Sequence, residues 1–128
     1  MPQQLVPGIS LTATRTVEEK DTAAVYGSGL HHVLSTPAMI AFMEHTAMKT
    51  VEACLGDGEG TVGTEVNIKH LRATPVGKSV TCTAILQEVN GNRLLFHVEA
   101  GDEKGKIGEG LHERFIIDNK RFMEKLKG

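Results

Sequence analysis

The chain has 128 residues, 40% of them hydrophobic and 23% charged, with a formal net charge of -2. That is the ordinary balance of one globular domain, 1–128, with one modest core. A slightly acidic chain with no Trp and one Tyr has neither the cations for a phosphate backbone nor the aromatic platforms for bases, so nucleic acid is not an expected partner. No apolar run approaches the ~20 residues that span a bilayer, and Met1–Leu5 carries no basic segment leading into an apolar one. The expectation is a cytoplasmic protein without membrane contact, whose two cysteines, Cys54 and Cys82, stay free.

Residues 9–17 alternate apolar and polar and are rich in Thr, which predicts a strand. Residues 18–35, with a charged run at Glu18–Asp21 and a break at Gly27-Ser28-Gly29, read as a loop or short turn. Ser35-Thr36-Pro37 opens a helix, because a hydroxyl residue followed by proline suits the cap and first turn. The helix is predicted to run to about Leu55, where the glycines of 56–60 stop it. Strands are predicted over 61–71, 79–89, 93–100 and 106–118, separated by a turn at 73–78, a hairpin at Asn90-Gly91-Asn92 and a tight turn at 101–105. A short basic helix closes the chain after Asn119. Most of these connections are too short for a parallel crossover, so the strands should pair antiparallel, with room for one long helix against the sheet.

Two polar residues interrupt this pattern. On a helical wheel, Ile40, Ala41, Glu44, Ala47, Met48, Val51 and Leu55 fall on one stripe, opposite His45, Lys49 and Glu52. Every member except Glu44 is apolar. Burying a carboxylate costs several kcal/mol unless it is paired or protonated, so Glu44 either reaches water at the stripe's edge or has a partner or a chemical task. On the next strand Val62, Thr64, Val66, Ile68 and His70 share one face, with Gly63, Glu65, Asn67 and Lys69 on the other. His70 is then either a hydrogen-bonded core histidine or one half of an acid–base pair with Glu44. Thr36 lies eight residues before Glu44, on roughly the same side of the helix. It reads as the cap of the helix, and the exposed N–H groups there favour negative charge developing on a carbonyl. His31-His32 has no acidic neighbour at ligand spacing, so no metal is expected. Gly108 and Gly110 mark a bulge or a close approach of backbone. No strand–glycine-turn–helix unit for a dinucleotide surrounds them.

The segments LSTPAMIAFMEHTA, TVGTEVNIKHLRATPVGKSVTCTA and NGNRLLFHVEAGDEKGKIGEGLHERFIID cover most of residues 33–118. They resemble the fluoroacetyl-CoA thioesterase family of hot-dog proteins. The sharpest feature is the ordered set Thr36, Glu44 and His70, with HLRATPVG around the histidine. The resemblance implies an α+β hot-dog fold, an antiparallel sheet wrapped around a long central helix. It also implies that two protomers join edge to edge as a homodimer with their sites at the interface.

The same resemblance implies Thr36, Glu44 and His70 as the catalytic residues, and Gly63, His70 and Arg114 as contacts to substrate. The activity implied is hydrolysis of a short acyl-CoA, with Glu44 as nucleophile or as base for water and with no cofactor beyond the CoA of the substrate. Fluoroacetyl-selective members carry a phenylalanine lid just before the catalytic threonine, whereas Tyr26–His32 here contains no Phe. The expectation is therefore a short acyl-CoA rather than a named acyl group. Two rival readings are a hot-dog acyl-CoA dehydratase or hydratase, and a non-catalytic acyl-CoA binder.

Overall fold

In a computed structural model that describes residues 3–128, strand β1 (Ser10–Thr16) leads through a 3-10 turn (Glu19–Asp21) and a one-turn helix α1 (Ala23–Tyr26) into the long helix α2 (Thr36–Val51). Strands β2 (Glu59–His70), β3 (Ser79–Asn90), β4 (Arg93–Asp102) and β5 (Gly105–Asp118) follow, then helix α3 (Asn119–Lys125). The segment 18–35 is thus more structured than a loop, and α2 stops four residues before Leu55, its end taken up by a 3-10 turn over Glu52–Cys54. The cap falls one residue earlier than Thr36: the Ser35 hydroxyl oxygen accepts the Ala38 N–H at 3.1 Å, Thr36 is already the first helical residue, and Pro37 sits in the first turn, where no N–H is missed. Cys54 and Cys82 are both free.

All strand pairs are antiparallel, in the order β1-β3-β4-β5-β2. The tight turn at Gly91, with φ 63°, joins β3 to β4 as predicted. Successive strands do not pair throughout, however. β3 already has β1 on one edge and β4 on the other, so β2 must cross to the far side and pair with β5. This leaves β2 as an edge strand with its outer side unpaired among the described residues.

The helix presents a different face from the one drawn on the wheel. Its buried residues are Ala38, Met39, Phe42, Met43, Thr46, Ala47 and Val51; Ala41 is exposed, and Ile40, Glu44 and Met48 are half-buried. A helix that is apolar on most sides has no strong preferred phase, so the shape of the sheet chooses one. Gly108 and Gly110 show how. What comes close to them is the protein itself rather than a ligand: a Cβ on Gly108 would lie 2.6 Å from Met39 Sδ, and one on Gly110 would lie 2.1 Å from the Asn67 carbonyl oxygen. Thr46 tolerates full burial because its hydroxyl donates to the Phe42 carbonyl at 2.7 Å. Met39 and Met43 pack with Leu86, Leu94, Phe96 and Ile107 in the core.

The parity of β2 also changes partway along. Its pairing with β5 slips between Gly63 and Glu65, so that Gly63 faces Arg114 and Glu65 faces Glu113. One extra residue, Thr64, is accommodated there, its hydroxyl donating to Glu113 Oε1 at 2.8 Å. A single-residue bulge flips every side chain beyond it. Gly63 therefore lies on the helix side, not on the face shared with Glu65 and Lys69, and Val62 is not in one row with Ile68 and His70.

Candidate active site

Two clusters of polar groups stand at opposite ends of β2. At the start of α2, Thr36 Oγ1 lies 2.8 Å from His70 Nδ1. The other ring nitrogen, His70 Nε2, is buried without a hydrogen-bond partner. Burial favours the uncharged ring and pushes the His70 pKa below its ordinary value of 6.5. The pair lines an open cleft of about 430 Å³ between Ala23 and Ser28 on one side and Leu71 and Ala73 on the other. The chain leaving His70 is anchored: Arg72 Nη2 donates to Asp102 Oδ1 at 2.7 Å and the Thr74 hydroxyl to Asp102 Oδ2 at 2.9 Å. In the segment that lacks phenylalanine, Tyr26 and Leu30 are strongly exposed, Leu30 at 88%.

At the far end of β2, the bare backbone of Gly63 is the meeting point. A Cβ there would lie 2.9 Å from Glu44 Oε2, 3.1 Å from His112 Cε1 and 3.3 Å from Arg114 Nη1. Glu44 acts on both Arg114 and His112 through space, as a negative charge among them. Arg114 is 6% exposed, so it is not an ordinary surface cation of a strand. Its Nε–H donates to Thr61 Oγ1 at 2.8 Å and its Nη2 to the Thr61 carbonyl at 2.9 Å. Burial lowers its pKa from the usual guanidinium value while Glu44 opposes that shift, but a guanidinium stays charged throughout the useful pH range.

The structure thus brings Thr36 to His70, and Glu44 to Gly63 and Arg114. Within one chain it does not bring Glu44 to His70. The eight residues from Thr36 to Glu44 advance about 12 Å along the helix, and the seven from Gly63 to His70 about 23 Å along the strand.

One member of the second cluster, His112, is absent from the sequence-level set. It is 1% exposed, donates from Nδ1 to the Glu65 carbonyl at 2.8 Å, and lies 3.1 Å through Nε2 from Arg114 Nη1. The period-two row Gly108, Gly110, His112, Arg114 in β5 holds the signal that would have found it. Among the described residues, no group of three or more His, Cys, Asp or Glu side chains is arranged to hold a metal ion, and no helix is long and apolar enough to cross a membrane.

Comparison with known proteins gives the family and the fold. The profile of the family described as "FlK: Fluoroacetyl-CoA-specific thioesterase" matches residues 17–120. The fluoroacetyl-CoA thioesterase of Streptantibioticus cattleyicolor is 39% identical over 95 residues, which are 74% of this chain and 68% of that one. The solved structure of the fluoroacetyl-CoA thioesterase FlK superposes with a TM-score of 0.92 at 32% identity, over 98% of this chain and 97% of the other. A mutant of FlK solved with fluoroacetate and CoA gives 0.87 at 32% identity, over 92% and 99%. A hot-dog-like protein from Thermanaerovibrio acidaminovorans gives 0.86 at 25% identity, over 94% and 89%. The sheet and its long helix are a hot-dog fold, and this chain belongs to the fluoroacetyl-CoA-specific thioesterase family.

Proposed function

We propose that this protein hydrolyses a short acyl-CoA to the free acid and CoA, in a site shared between two copies of the chain. The observation that carries the reading is the Glu44 carboxylate aimed at the bare backbone of Gly63 beside the buried Arg114 guanidinium. A thioester lying against Gly63 meets a carboxylate on one side and a cation on the other. Glu44 acts on the thioester carbonyl, either by direct attack to give an acyl-enzyme anhydride or by taking a proton from water. Arg114 supports the developing oxyanion. The thiolate of CoA leaves and is protonated, and one water is consumed per turnover. No cofactor is needed beyond the CoA of the substrate. The relative solved with fluoroacetate and CoA supports a short acyl group on CoA as the substrate class, and the open cleft beside His70 is wide enough for a pantetheine arm.

His70 and Thr36 enter from the partner. β2 is an unpaired edge, a ready template for a second copy, with Val66 43% exposed near its middle. An isologous antiparallel pairing about a two-fold axis near Val66 and Asn67 sets Gly63 of one copy against the partner's His70. The buried, unpartnered His70 Nε2 then gains a thioester carbonyl or an attacking water to bind, which offsets the 1–3 kcal/mol that such an orphan costs, roughly. Thr36 holds the ring by its other nitrogen.

Thiol release from a panel of short acyl-CoAs, with Glu44→Gln and His70→Ala beside the wild type, tests the reading. Each substitution is expected to lower turnover by about a hundredfold or more. Equal rates, or hydration of enoyl-CoA without thiol release, overturn it.

A further inference from the structure

The His112 side chain is enclosed by four elements. Phe96 of β4 stacks on it, with ring centroids 6.4 Å apart and planes inclined by 29°. The Glu65 main-chain carbonyl of β2 meets Nδ1, Arg114 of its own strand meets Nε2, and Glu44 of α2 adds a negative charge nearby. The chemistry of these partners leaves one protonation state. A carbonyl oxygen can only accept, so Nδ1 carries the hydrogen. A guanidinium can only donate, so Nε2 must offer its lone pair. A protonated ring would set N–H against N–H. Burial, the largest influence, with the Arg114 charge in support, also holds the His112 pKa below 6.5.

Arg114 is therefore gripped at three of its five N–H groups, by Thr61 Oγ1, the Thr61 carbonyl and His112 Nε2. The remaining Nη1 hydrogen belongs to the nitrogen that approaches Gly63. Without an acceptor at Nε2, only the Thr61 contacts remain, and the guanidinium can pivot about them towards Glu44 to form an ion pair across the space the thioester needs.

We infer that His112 is a positioning residue: as a neutral imidazole with its hydrogen on Nδ1, it clamps Arg114 so that one guanidinium N–H points into the substrate site at Gly63 and stays off Glu44. The inference rests on the reading that Arg114 touches the substrate.

A double-mutant cycle separates the two. His112→Asn keeps an N–H for the Glu65 carbonyl but is too short to reach Arg114; His112→Gln places an amide oxygen close to the position of Nε2; Arg114→Met removes the guanidinium. With kcat/KM for acetyl-CoA measured by thiol release, R114M and H112N are each expected to lose about tenfold or more. The double variant should be no worse than R114M, because His112 acts only through Arg114, and H112Q should stay within a few-fold of wild type. Losses that multiply in the double variant, beside a normal loss in R114M, overturn the role given to His112 alone. Full activity in R114M removes the substrate contact of Arg114 and this inference with it, while leaving the Glu44 result standing.

Nitrogen NMR of the wild-type protein gives a check that needs no variant to fold. His112 should appear as the neutral Nδ1–H tautomer at about pH 6. An imidazolium, or the Nε2–H tautomer, overturns the inference.

Discussion

The two ends of β2 carry different kinds of polar group. At the His70 end, a hydroxyl and an imidazole face an open cleft and one ring nitrogen is left without a partner. At the Gly63 end, Arg114 and His112 are wholly enclosed and hydrogen-bonded, and only the Glu44 carboxylate and one side of the guanidinium face the strand. The first end is held by local structure, a helix start and the turn after a strand. The second is assembled from α2, β2 and β5. On the proposed function neither is complete alone, and the exposed edge between them is where a second copy would join one to the other.

The largest expected effect comes from mixing variants. Glu44→Ala and His70→Ala chains, each inactive alone, are co-refolded or co-expressed. If Glu44 works with the partner's His70, half of the dimers are mixed and each mixed dimer holds one intact site, so activity should return to about a quarter of wild type. No recovery would place both residues of each site in the same chain and break the comparison. Gly63→Ala comes next. The group nearest the new methyl is the flexible tip of Glu44, while His112 and Arg114 lie beyond 3 Å and need give by only a few tenths of an ångström, so the fold should tolerate it while turnover falls roughly 10–100-fold through misplacement of the carboxylate. A variant with unchanged kcat would detach Gly63 from the site.

Thr36→Val tests the other end. Losing the 2.8 Å contact to His70 Nδ1 should lower turnover about tenfold, and a pH–rate profile should show the freed imidazole titrating at a changed position. The smallest effect is on stability. The fold depresses the pKa of both His70 and His112, so it binds fewer protons than the unfolded chain below their ordinary value of 6.5. Their contribution is fully present above that value and is lost as pH falls through the depressed values. Melting temperature should therefore drop by a few degrees between about pH 7.5 and 5.5, a range that lies above ordinary carboxylate titration. A flat or rising profile would mean the two rings are charged in the folded protein.

Much of this site was legible in the sequence because it broke local patterns. Glu44 stood out on an apolar helix, His70 extended an alternating strand, and Thr36 stood as a hydroxyl before Pro37, although Ser35 is the residue that caps; the family resemblance added Gly63 and Arg114. His112 escaped notice because a histidine in the period-two row of β5 looks like any other strand residue until its neighbours are known. The face of Gly63 was misjudged because alternation was counted straight through Thr64, where the strand in fact bulges against Glu113. Glu44 takes the edge position that the helical wheel left open, bordering the buried face of α2.

The sequence by itself determined what is settled within a few residues: the start of α2 to within one residue of its cap, the hairpin at Gly91, the alternation of the strands, and the residues whose chemistry does not suit a plain core. Tertiary structure alone decided the phase of α2, the bulge at Thr64, the pairing of β2 with β5 and the enclosure of His112 and Arg114. Capping and turn preferences act through adjacent backbone groups and can be read from the chain. The rotation of a mostly apolar helix and the choice of a strand's partner depend on shape complementarity between segments far apart in sequence, which no local pattern encodes.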